Sequence, residues 1–175
     1  MSIEPKSKFI AFIDGDANAQ NRRPSMKGEL ARPDGTLHTF ALWTGEKKDG
    51  SGIYLSGKVQ PKDTTLALKQ QAGAGSGDIE QPAGLTLAVG DIVLFENDKG
   101  DNAKRPDFYG FSRTADGINR HSAWSATAAN GSLMLRGSTE AWTPEAKADA
   151  EAAPVADRPT ADAKAKVRQA LTAKR

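Results

Sequence analysis

The chain has no cysteine and only two histidines. The first absence excludes disulfides and thiolate metal sites, and it fits a reducing cytoplasm. Aromatic residues make up 6% of the sequence, and the formal net charge of +2 lies close to neutrality. No overall field therefore draws the chain to nucleic acid or to membranes. Long apolar runs are also missing. The opening "MSIEPKSKFIAFIDGD" holds one short run, "FIAFI", which is too brief for a signal-peptide core. Nowhere does a segment approach the roughly 20 apolar residues of a membrane span. The expectation is a cytoplasmic protein.

Signatures of catalysis are missing as well. There is no "HExxH", no "GxSxG" and no phosphate loop ending in "GK[ST]". The stretch "AGAGSGD" (72–78) has glycines, but no apolar strand precedes it and no lysine follows, so it reads as a linker. "DGDANAQN" and "ENDKGDN" look like calcium loops but lack the glutamate and the glycine at the required places; they read as polar loops. His38 and His121 each fall on an expected third strand without being equivalent, and lone strand histidines are more often structural than catalytic. No enzymatic activity, metal or cofactor is expected.

What the chain does have is glycine and repetition. Seventeen glycines and nine prolines favour turns and short elements. "FIAFIDGDANAQNRRPSMKGELARPDG" (9–35) lies over "DIVLFENDKGDNAKRPDFYGFSRTADG" (91–117) without a gap at an offset of 82. Identical pairs are Ile10/Ile92, Asp16/Asp98, Arg23/Arg105, Pro24/Pro106, Gly28/Gly110, Asp34/Asp116 and Gly35/Gly117, with Phe12/Leu94 and Met26/Phe108 alike in kind. After a slip of a residue or two, the match resumes at Trp43/Trp124, Gly50/Gly131, Leu55/Leu135 and Gly57/Gly137. Each copy reads as an apolar strand, a polar loop, a strand with a central glycine, an aspartyl-glycine turn, a third strand, a glycine turn and a fourth strand. The fold class expected is all-β: two tandem four-stranded antiparallel meander units with a disordered or helical C-terminal tail. The units span 8–61 and 90–140, with a linker at 62–89 and a flexible tail at 141–175. Within that tail, 161–175 is helix-capable, with Val167, Ala170 and Leu171 at helical spacing and a basic tip. Removing 143–175 is expected to cost little stability unless Val167 and Leu171 dock.

The pattern "RPDFYG…DG…W…NG…L", present once per unit over 20–60 and 102–142, resembles small, largely uncharacterised β proteins of bacteriophages and conjugative elements. The resemblance implies a mobile-element setting and a small β fold, and it carries no catalytic residues. The first unit departs from it, with Ser25-Met26-Lys27 in place of Asp107-Phe108-Tyr109.

Two binding roles remain. A β surface can hold single-stranded DNA by stacking bases on aromatics while cations follow the phosphates. The residues suited to this are Arg23, Lys27, Trp43, Tyr54, Lys104, Arg105, Tyr109, Phe111, Arg113, Trp124 and Arg136. Tyr109, Phe111 and Arg113 share one face by alternation. The paired tryptophans also suit a role as core anchors. Charge is balanced: residues 8–61 carry eight basic and six acidic side chains, and 90–140 carry six and seven. The alternative is a protein-interaction module that inhibits a host defence or replication protein. Its partner, or a second copy forming a homo-oligomer, would add at exposed strand edges.

Overall fold

The computed structural model describes residues 8–17, 20–32, 35–62, 81–82, 84–98, 102, 104–143 and 161–173. Eight strands follow one another: β1 (Lys8–Ile13), β2 (Met26–Ala31), β3 (Leu37–Glu46), β4 (Ile53–Pro61), β5 (Asp91–Glu96), β6 (Phe108–Thr114), β7 (Gly117–Thr127) and β8 (Leu133–Ala141). One helix, α1 (Ala161–Thr172), ends the described chain. Each strand pairs antiparallel with its sequence neighbours, and β8 returns to pair with β1, so the sheet is a closed barrel.

Closure corrects one expectation. The two four-strand runs form one sheet around one core, because β4 pairs with β5 from Tyr54↔Phe95 to Lys58↔Asp91. A closed barrel has no free edge, so neither a partner nor a second copy can add a strand as expected.

An eight-stranded barrel is just wide enough for side chains to fill it. Phe9, Ala11, Met26, Leu30, Phe40, Leu42, Leu55, Val59, Ile92, Leu94, Phe108 and Leu135 supply the apolar filling. Phe9 stacks on Phe40 with ring centroids 4.8 Å apart and lies 5.4 Å from His121. Alternation explains the rest of each strand: β6 reads buried at Phe108, Gly110, Ser112 and Thr114, with Tyr109, Phe111 and Arg113 outside.

Adjacent strands come close together at lumen-facing glycines. A Cβ on Gly110 would lie 1.9 Å from the carbonyl oxygen of Val93, and one on Gly57 would lie 1.8 Å from that of Ala41. Only glycine lets the neighbouring backbones come this close.

The ladders place residues of the two halves in matching positions. Ala11 faces Gly28 in β1–β2, and Leu94 faces Gly110 in β5–β6. Ala11 thus corresponds to Leu94, not to Val93 as the gapless overlay has it. The overlay is one residue out along β1, which turns every side chain to the other face. Ile10 and Phe12 point outward, whereas Ile92 and Leu94 fill the lumen. Beyond β1 the correspondence is regular. The Thr44 amide donates to Ser25 Oγ at 3.3 Å, as the Ser125 amide donates to Asp107 Oδ2 at 2.8 Å. The Lys62 amide donates to the Leu37 carbonyl, as the Trp142 amide donates to that of Ile118, both at 2.9 Å.

Helix α1 packs against β7, β8 and β1. Val167 and Leu171 are fully buried in the barrel core, against which Ile13 and Leu133 also pack. The Lys164 ammonium donates to the Asn97 carbonyl at 3.0 Å, and Arg168 Nε lies 3.6 Å from Glu96 Oε1. The end of the chain is thus a docked lid, the outcome on which its dispensability depended. Most of the expected disordered stretch, 144–160, lies outside the described residues, as do 63–80 of the expected linker.

Candidate functional site

The lumen changes character along its length. Toward the helix it is apolar. Toward the opposite end it holds His38, Ser112, Thr114, Asn119, His121 and Thr139, all buried. His121 Nδ1 lies 3.0 Å from Thr139 Oγ1, and Nε2 lies 2.8 Å from Ser112 Oγ. Arg32 donates through Nε to Asn119 Oδ1 at 3.3 Å and through Nη1 to Asp116 Oδ2 at 2.6 Å. The two histidines come from corresponding third strands, and both reach the lumen. They are not equivalent: ladder positions match His38 with Asn119 and Phe40 with His121.

Complete burial pushes the His121 imidazole down to about 3 from its usual 6.5. A histidine held neutral in the fold and free to protonate when unfolded makes stability fall as the pH drops below 6.5, until the folded pKa is reached. Between pH 7 and pH 5 the loss from this residue is about 2 kcal/mol. Urea unfolding at the two pH values is expected to show this difference, and His121→Gln is expected to remove most of it. His121 is thus held neutral, with each ring nitrogen engaged by a buried hydroxyl. Among the described residues, no group of three or more histidine, aspartate or glutamate side chains converges on a metal-sized site.

The outer surface differs between the halves. On the second half, Val93 and Ile118 are 9% and 5% exposed. Leu87, itself buried, and Trp142 lie on this face. The Leu87 carbonyl accepts from Arg113 Nη1 at 2.9 Å, and Trp142 meets Phe111 edge-on at 6.4 Å. On the first half the corresponding residues, Ile10 and Leu37, are left more open, and Phe12 and Leu37 are each 44% exposed. An open groove of about 810 Å³ runs here across β1–β4, lined by Ile10, Phe12 and Leu37 among apolar residues and by Lys8, Lys27 and Lys58 among charged ones. One difference is legible: Lys62 stands where Trp142 stands, making the same backbone bond without the indole that meets Phe111 on the second half.

The residues expected to bind DNA are dispersed. Tyr54, Phe95 and Tyr109 stand in register across β4, β5 and β6 on the outer face, with the Phe95 and Tyr109 rings 5.8 Å apart. Tyr109 is exposed, and sequence reasoning missed Phe95. Lys104 and Arg105 are exposed on the loop before β6. Others are engaged in the fold. Arg113 is held by Leu87, Phe111 lies against Trp142, and Arg136 is half-buried opposite Trp124. The tryptophans both point away from the lumen and so are not anchors of the barrel core. Trp124 is 5% exposed and Trp43 41%. The Trp43 indole N–H donates to the carbonyl of Arg22 at 3.0 Å, and Arg22 has a left-handed φ of 52°. Arg23 pairs with Asp16 at 3.5 Å, and Lys27 with Asp14 at 2.9 Å. The Lys27 hydrogen bond is the main cause holding the Asp14 carboxyl below its usual value.

No family model matches the chain, and no match is found among the curated proteins or the solved structures.

Proposed function

We propose that this protein is a non-enzymatic binding module that takes a protein partner on the outer face of its first half. The observation carrying the reading is the groove with Phe12 and Leu37 exposed, at the place where the second half covers Ile118 and Val93 with its own chain. A contiguous apolar concavity is the usual mark of an interaction surface. The filled, lidded lumen leaves the outside of the barrel as the working surface. The recurrent hydrogen bonds and ladder positions support descent of the two halves from one duplicated four-strand unit, with divergence on this face. The resemblance of each half to phage and conjugative-element modules supports an accessory role in such an element, in the cytoplasm of its host, with a defence or replication protein as the kind of target.

A second reading, binding of single-stranded DNA, draws on the row Tyr54–Phe95–Tyr109 beside Lys104 and Arg105. A base stacked on an aromatic contributes roughly 1–3 kcal/mol, so on this reading Tyr109→Ala weakens oligonucleotide binding by about five- to a hundredfold.

Purification from the cells that make the protein separates the two, with and without nuclease. The first reading expects a protein that stays with the wild type under nuclease and is lost in a Phe12→Lys, Leu37→Lys double variant. A nuclease-sensitive strand that is lost in Tyr109→Ala, with nothing lost in the double variant, overturns it in favour of the second.

A further inference from the structure

We propose that the groove receives an extended, acidic segment of the partner with apolar side chains at alternate positions; this rests on the groove being the binding face. The second half supplies the precedent for its shape. There the described stretch 84–90, which forms neither helix nor strand, meets the outer face through Leu87 and Gly90. That segment seats one buried leucine, Leu87. Its backbone is held along β6 near its C-terminal side: the Gly90 amide donates to the Arg113 carbonyl at 2.8 Å, and the Leu87 carbonyl accepts from Arg113. An extended chain with a leucine is therefore what this surface shape accepts.

Charge decides the chemistry of the visitor to the first half. Ladder positions match Lys8 with Asp91, Lys27 with Tyr109 and Lys58 with Ser138, while the shared backbone bond matches Lys62 with Trp142. At these four positions the first half has cations where the second has one anion, while the second half has its own cations, Arg113 and Arg120, at the places of Ala31 and Thr39. The exchange at Lys8 is the most informative. Asp91 Oδ2 accepts from the Ala88 amide at 3.0 Å, holding the covering segment by an acceptor. Lys8 offers only donors, so a segment lying here must bring the acceptor itself, and a carboxylate is the strong one. Glu29 is the one acid lining the groove and pairs with Lys62 at 2.8 Å. Lys27 pairs with Asp14 at 2.9 Å and Lys58 with Asp91 beside it, so the charge offered to a visiting carboxylate centres on Lys8. Complementary charge of this kind sets partner choice and association rate.

The test uses three end-labelled octapeptides with alternating leucines, flanked by aspartates, by serines or by lysines, titrated into the full chain. Fluorescence anisotropy reads affinity, and backbone amide shifts read location. The aspartate peptide is expected to bind about tenfold or more tightly than the lysine peptide, with shifts centred on Phe12 and Leu37. Lys8→Glu with Lys58→Glu is expected to weaken it by about tenfold or more, while Lys104→Glu with Arg105→Glu leaves it unchanged. Thermal melting confirms that the charge variants fold. Equal binding of all three peptides in the groove overturns the acidic assignment and leaves the groove reading standing. Absence of shifts at Phe12 and Leu37 with any peptide removes both. Displacement of the aspartate peptide by an oligothymidylate overturns the proposal in favour of a nucleic-acid surface.

Discussion

Gly110→Ala is expected to unfold the barrel or to lower its stability by more than about 3 kcal/mol, beyond the usual cost of overpacking. A Cβ at this position would sit 1.9 Å from the Val93 carbonyl oxygen and 2.7 Å from Leu94 Cα. Both obstacles are backbone, so no rotamer change relieves the clash, and β5 and β6 must part where they are hydrogen-bonded. Gly57 and Gly137 meet the same obstacle from Ala41 and Ser122. Gly15→Ala is the control: nothing lies within 4 Å of a Cβ there, and a change within about 0.5 kcal/mol is expected. Urea denaturation of the two variants reads the contrast directly.

Loss of the helical lid is the second large effect. Leu171 and Val167 are fully buried in the core cluster. Leu171→Ala is expected to cost about 2–5 kcal/mol. For a chain of this size each kcal/mol lowers Tm by about 2–4 °C. Deleting 161–175 also exposes the mouth and removes the Lys164 and Arg168 contacts to the end of β5. Its Tm is expected to fall further than that of Leu171→Ala. A truncated protein melting within a few degrees of the full chain would show that the lid contributes nothing to folding.

The sequence showed the strands well and their closure poorly. The glycines at 28 and 110, the aspartyl-glycine turns and the glycine turns at 50 and 131 marked strand positions that the ladders bear out. The pairing of β8 with β1 joins residues at opposite ends of the chain, and no local pattern announces it. Polar residues inside the lumen blurred the alternation further: Ser112, Asn119 and His121 occupy buried positions that a hydrophobic pattern assigns to solvent. "FIAFI" read as one buried run, yet it alternates, with Phe12 thrown outward. That single misreading hid the groove. The signal that reveals it is a difference between the halves, lysine at 8 and 62 where the other half has Asp91 and Trp142. It becomes visible only once β1 is shifted by one residue. The docking of α1 was half legible, since Val167 and Leu171 stood at helical spacing while nothing in the sequence named the surface they meet.

On this reading the partner lies on the groove of the first half. That placement is tested most directly by a photo-cross-linking amino acid placed at Leu37 and, in parallel, at Tyr109, in the cells that make the protein. A protein adduct is expected at position 37 that disappears with Lys8→Glu and Lys58→Glu, with no comparable adduct at 109. Cross-linking at 109 alone, to a strand or to a protein, would contradict it.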